Sequence, residues 1–152
     1  MRRKEREKDV AFAFAVLRDC EYATLATINA DGTPYCIPIS PVLIDKAIYF
    51  HCAPEGQKLE NISKNNAVCI SCAGHTKRVP EDFTTEYEST VATGICHIVS
   101  DEEEKIMALK KLCEKYAESN MEHFDARIKK TLHRTYVCKI EITKITGKSN
   151  IK

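Results

Sequence analysis

From residue 21 to 52 the chain alternates between apolar runs and turn residues: "EYATLATINADGTPYCIPISPVLIDKAIYFHC". Two β-rich runs flank "NADG", and Asp31-Gly32 is a strong hairpin signal. The second run carries Pro34, Pro38 and Pro41. Proline cannot donate to a sheet ladder, so this strand is expected to be bulged or to have an open edge. Asp45-Lys46 turns the chain into "AIYFHC", and three successive antiparallel strands predict a meander. In "GQKLENISKNN", Leu59 and Ile62 fall three apart and Asn65-Asn66 close the run, which predicts a short helix from Gln57. "AVCISCA" reads as a fourth strand, "GHTKRVPEDFT" as a loop, and "TEYESTVATGICHIVS" as a long fifth strand. Gly94 in that strand marks a bulge or a close approach.

Three helical patterns surround these strands. Val10, Ala13, Phe14 and Leu17 share one face, which predicts an amphipathic helix within residues 1–20. "SDEE" from Ser100 has the form of a capping box with Glu103 at N3. The helix it opens is expected to reach about residue 119, with Ile106, Leu109, Cys113 and Tyr116 facing inward. Met121, Phe124 and Ile128 repeat the pattern, so residues 100–131 read as a helical insertion before the last strand. That strand, "RTYVCKIEITKITGK", sets Tyr136, Cys138, Ile140 and Ile142 against Lys139 and Glu141. Six closely spaced strands without βα alternation predict a mainly β, antiparallel sheet or small barrel flanked by helices. Residues 1–152 read as one domain.

Composition narrows the function. A net charge of +1 argues against a dedicated nucleic-acid binder. The basic "RIKKTLHR" at residues 127–134 complements a helix C-terminus, with nucleic-acid binding a weak alternative. Eight cysteines lie mostly in apolar runs with no secretory segment ahead of them, so they read as buried, reduced thiols of a cytoplasmic protein. No apolar window is long enough to span a membrane. Cys69, Cys72 and His75 imitate a metal motif, but strand positions three apart face opposite sides, so no metal is expected. No nucleophile elbow, dinucleotide loop or phosphate-binding Gly-rich loop occurs.

Lys58 is the residue that asks for an explanation. It sits in the first turn of the helix that begins at Gln57, where the dipole favours anions. Free amides, an ammonium, Gly56 and His51 from the preceding strand would together make a phosphate site. A solvated lysine that tolerates its position is the other reading.

Three stretches, "CEYATLATINADGTPYCIPIS", "IYFHCAPEGQKLENISKNN" and "EYESTVATGICHIVSDEEEKIMALKKL", resemble the pyridoxamine 5′-phosphate oxidase-like flavoproteins, in particular the 5-nitroimidazole-resistance branch. The most specific pieces are F-H-x-A-x-x-G-x-K from Phe50 to Lys58 and Y-E-S from Tyr87 to Ser89. The resemblance implies a split-barrel homodimer with FMN (or FAD) in clefts at the interface. It implies that His51, Gln57 and Lys58 approach the phosphate, and that Ala26, Thr27, Pro38, Ile39 and Ser40 line the ring and ribityl chain. Tyr87 and Ser89 would reach the cofactor from the partner chain, and His51 would be the candidate proton-exchanging residue. The implied activity is flavin-dependent oxidation or reduction of a small molecule, nitro reduction included. A non-catalytic flavin or haem carrier is the alternative. The arginine-rich ending of true pyridoxamine-phosphate oxidases is missing from "ITGKSNIK".

Overall fold

A computed structural model describes residues 2–151. The strands are β1 (Glu7–Lys8), β2 (Ala23–Ile28), β3 (Pro34–Ile39), β4 (Val42–Ile44), β5 (Ala47–Cys52), β6 (Ala67–Val79), β7 (Thr84–Ile98) and β8 (Tyr136–Ser149). The helices are α1 (Val10–Asp19), α2 (Gln57–Lys64), α3 (Glu102–Tyr116) and α4 (Phe124–Thr131). All strand pairs are antiparallel, in the order β3-β2-β6-β7-β8-β5-β4, with β1 beside β8.

The expected meander does not form. The proline-rich second run breaks at Ser40-Pro41 into β3, which pairs with β2, and β4, which pairs with β5. These two pieces are the opposite edges of the sheet. Three peptide steps separate Ile39 from Val42 and reach at most about 11 Å. The edges must therefore meet at that corner, and the sheet curls into a split barrel. Pro34 and Pro38 are four apart and so miss their N–H groups on the same side of β3, which as an edge strand has one unpaired side.

The interior is filled by Leu25, Ile48, Phe50, Ile70, Cys138 and Ile140, joined by Val16 and Leu17 of α1 and by Leu59 and Ile62 of α2. Val10 was expected on the inner face of α1 but is 56% exposed, because the buried stripe is Ala13, Val16 and Leu17. Ala108, Leu109 and Leu112 of α3 and Phe124 of α4 bury instead against Val42, Tyr49 and Val137, outside the barrel wall. β5 and β8 are thus covered on both faces, which is why "AIYFHC" reads as a nearly continuous apolar run. Glu104 pins α3 to this wall, accepting from the Tyr49 hydroxyl at 2.7 Å and from Lys139 Nζ at 2.8 Å. Asp101, one residue beyond the expected Ser100, caps α3 by accepting from the Glu104 N–H at 2.7 Å.

Two further differences have physical causes. The segment read as a loop continues β6 to Val79, and a 3₁₀ turn at Pro80–Asp82 leads into β7. Its side chains are almost all exposed, so no apolar period marks it as strand. At Gly94 both sequence readings hold. The β7–β8 register slips there, with Thr93 opposite Lys144 and Gly94 opposite Ile142. A Cβ on Gly94 would also strike the Glu141 carbonyl oxygen and stand 2.7 Å from Ile140 Cγ2.

Gly94→Ala is expected to lower unfolding free energy by about 3 kcal/mol, the upper end of overpacking costs. Urea denaturation checks this, and a loss within experimental error would show that β8 yields freely at the bulge.

Candidate functional site

The start of α2 is an uncapped helix terminus. Gly56 precedes it at φ +128°, a conformation that L side chains rarely adopt. The first intrahelical bonds run from the Leu59 and Glu60 amides to the Gly56 carbonyl, at 2.9 and 3.2 Å. No side chain caps the helix, so the Gln57 and Lys58 amides are available to a ligand. Lys58 is half-buried and forms no hydrogen bond or ion pair with the described residues. His51, at the end of β5, is its electrostatic neighbour. The imidazole is held below its ordinary pKa, first by the protein crowded around it and then by the Lys58 charge.

A buried polar network fixes this helix against β2. Asn61, 2% exposed, donates Nδ2 to Thr27 Oγ1 at 3.0 Å and to Asn29 Oδ1 at 2.8 Å. Gln57 Nε2 donates to Asn61 Oδ1 at 3.0 Å. The buried Thr27 and the exposed Gln57 side chains are therefore both engaged in this network, which ties the helix start to β2. Asn61 and Asn29 escaped sequence reasoning. The available signal was a polar residue lying between Leu59 and Ile62 and four positions after Gln57.

The other candidate residues divide into two groups. Ile39 packs against the barrel interior, and Pro38 is exposed on the edge strand. Ser40 joins His51 in a cavity of about 460 Å³ beneath α3 and α4. Ala26 faces outward in a shallow hollow with Cys69, Thr93 and Ile95. Cys69, expected in the core, is thus on the outer face and half-buried, while Cys138 is fully buried. Ser89 lines a separate hollow with Tyr22, Thr24 and Ser71. Tyr87 stands further along the same strand, with Lys148 Nζ 5.4 Å from its ring centroid. Ser89 is opposite Lys148 on β8, whereas His51 is opposite Val137, eleven residues away. That separation is roughly 36 Å of strand. A single chain does not bring the Y-E-S residues to the helix terminus.

The split barrel accords with the family comparison. The profile described as Pyridoxamine 5′-phosphate oxidase matches residues 9–149. The chain belongs to that family. Among solved structures it is similar to a candidate 5-nitroimidazole antibiotic resistance protein from Bacteroides thetaiotaomicron, with 22% identity, TM-score 0.75, and coverage of 93% of this chain and 84% of that one. It is also similar to a flavocytochrome from Azotobacter vinelandii, with 17% identity, TM-score 0.81, and coverage of 100% and 72%. A FAD-binding protein from Mesorhizobium loti gives 19% identity, TM-score 0.70, and coverage of 96% and 98%. At these identities the likeness is one of fold. No curated protein matches the sequence. Among the described residues of this family member, no group of three His, Cys, Asp or Glu side chains is placed to hold a metal ion, and no helix is long and apolar enough to cross a membrane.

The His51 environment carries a pH signature. Its folded pKa lies below the unfolded reference near 6.5, so as pH falls through that value the unfolded state takes up the proton first. Its contribution to stability is therefore intact above about 6.5 and declines below it, until the folded pKa is also passed. Titration of the imidazole proton resonances by NMR is expected to give a midpoint below about 6.5. In Lys58→Ala that midpoint should rise; an unmoved one would separate the two residues.

Proposed function

We propose that this chain binds a flavin, FMN in the first instance, between two copies of itself, and exchanges reducing equivalents with a small molecule. The observation that carries the reading is the uncapped start of α2 with an unpaired lysine in its first turn. The donor set fits a phosphate: the Gln57 and Lys58 amides and the Lys58 ammonium donate, the His51 imidazole can donate through a protonated ring nitrogen, and Gly56 adds no side chain in front of them. Asn61 and Gln57 keep the terminus rigid. When bound, the flavin supplies the hydride and electron chemistry, and the protein supplies binding and orientation. His51, shifted toward its neutral form, can take up or release a proton at a ring nitrogen at neutral pH.

The sheet's outer face supports a second copy as the cover. Ile28, Val91 and Ile95 are 38%, 42% and 37% exposed, and Ala26, Ala67 and Thr93 stand between them on the same face. A continuous face of small and apolar side chains is what an isologous contact needs. Such a partner would also deliver Tyr87 and Ser89 to a flavin that the first chain's own pair cannot reach. Phe83, 98% exposed at the tip of the β6–β7 hairpin, suits the same role of reaching onto a neighbour. A non-catalytic flavin or haem carrier is the second reading, favoured by the likeness to a flavocytochrome.

Purified protein is expected to show flavin absorbance, to bleach anaerobically with NADH or NADPH, and to reoxidise with a nitro compound. Bound flavin that no pyridine nucleotide reduces would favour the carrier. Lys58→Ala is expected to lose flavin about tenfold more readily, the cost of one charge-assisted contact, while Lys64→Ala retains it. Equal retention would reject the phosphate site. Ile95→Glu is expected to give a monomer by sedimentation and to release the flavin; a dimer that keeps it would reject this face as the interface.

A further inference from the structure

The cavity shared by Ser40 and His51 contains groups that the flavin reading leaves unused. Its apolar wall is Leu109 and Leu112 of α3 and Ile128 of α4. Its polar groups include Arg127 and Arg134, and no Asp or Glu lines it. Arg127, Thr131 and Arg134 follow one another at intervals of four and three, so one face of α4 and of the 3₁₀ turn after it presents them together. Neither guanidinium forms a hydrogen bond or ion pair with the described residues. The neighbouring hydroxyls are already engaged. Thr131 Oγ1 donates to the Arg127 carbonyl at 3.0 Å, Thr135 Oγ1 to the Thr131 carbonyl at 2.9 Å, and the Tyr116 hydroxyl to the Pro41 carbonyl at 2.8 Å. The uncommitted polar groups of the cavity are thus mainly cationic or able to become so.

We propose that this cavity is a binding site for a small organic anion, with a carboxylate or phosphate head held by Arg127 and Arg134 and an apolar body laid against Leu109, Leu112 and Ile128. The guanidinium fork matches both head groups, and unpaired arginines beside an apolar wall select such a ligand over a neutral isostere. A volume of about 460 Å³ suits a ligand of small-molecule size. His51 borders the same space, so the ligand stands where a flavin-dependent reaction would need its second substrate. That role rests on the flavin reading; the binding does not. Two arginines of the basic "RIKKTLHR" stretch thereby acquire a purpose other than complementing a helix end.

Calorimetric titration of the protein as purified with benzoate, phenyl phosphate and benzamide tests the site. At least one of the two anions is expected to bind, about tenfold or more tighter than benzamide, and the tighter one identifies the head group. Arg127→Gln and Arg134→Gln should each weaken that anion about fivefold or more, while Lys129→Gln leaves it unchanged. Both arginine variants should keep wild-type thermal unfolding and flavin absorbance. Equal binding of benzamide, no heat from either anion, or equal loss in Lys129→Gln would overturn the proposal. Loss of flavin in the arginine variants would overturn it too, because the cavity would then belong to the cofactor. Arginine-dependent anion binding by a colourless protein would uphold the site and remove the redox reading.

Discussion

Closure of the barrel depends on two residues. Ser40 and Pro41 join the outermost strands of the sheet, and a link that short leaves the edges no freedom to part. The carbonyls at this corner would be orphaned by the break in pairing, and α3 supplies their partners. Lys115 Nζ donates to the Pro41 carbonyl at 3.0 Å and to the Cys20 carbonyl at 2.7 Å, and the Tyr116 hydroxyl reaches Pro41 as well. Burial pulls the Lys115 pKa down, so the ammonium is partly desolvated to make these bonds. The end of α3 therefore fastens the corner where the barrel is split.

The same fastening shapes the functional region. Once α3 is tied to Pro41 and its start is held by Tyr49 and Lys139, the helical pair roofs the outward face of β5. His51 lies on that face between two cationic neighbourhoods. Lys58 approaches from α2, and Arg127 and Arg134 approach from α4. One imidazole thus borders both the proposed phosphate site and the proposed anion cavity. This arrangement explains how a chain with almost no net charge can concentrate positive potential in one place.

Much of this was legible in the residues. The hairpin at Asp31-Gly32, the bounds of α2 and the bulge at Gly94 each rest on local backbone chemistry, which a short window records. The break at Ser40-Pro41 was not legible, because nothing within "PISPV" says that its two halves pair with strands on opposite sides of the sheet. The far half of β6 was missed because its ladder with β7, not burial, holds it. Among the candidate site residues, Lys58 announced itself by standing at the wrong end of a dipole. The Asn61 network did not, since its partners Thr27 and Asn29 lie more than thirty residues away. Arg127 and Arg134 were visible as charge, but only the fold shows that they look into a cavity.

The position of β8 has a consequence for how the molecule is assembled. It lies between β7 and β5, yet it leaves the ribosome after both of them. Until then β2, β3, β6 and β7 can form one ribbon and β4 with β5 another, each with an open flank where β8 belongs. A nascent chain waiting for residues 136–149 would carry two adhesive edges, a hazard that chaperones exist to shield. Premature termination anywhere before Tyr136 would convert that transient state into a permanent one.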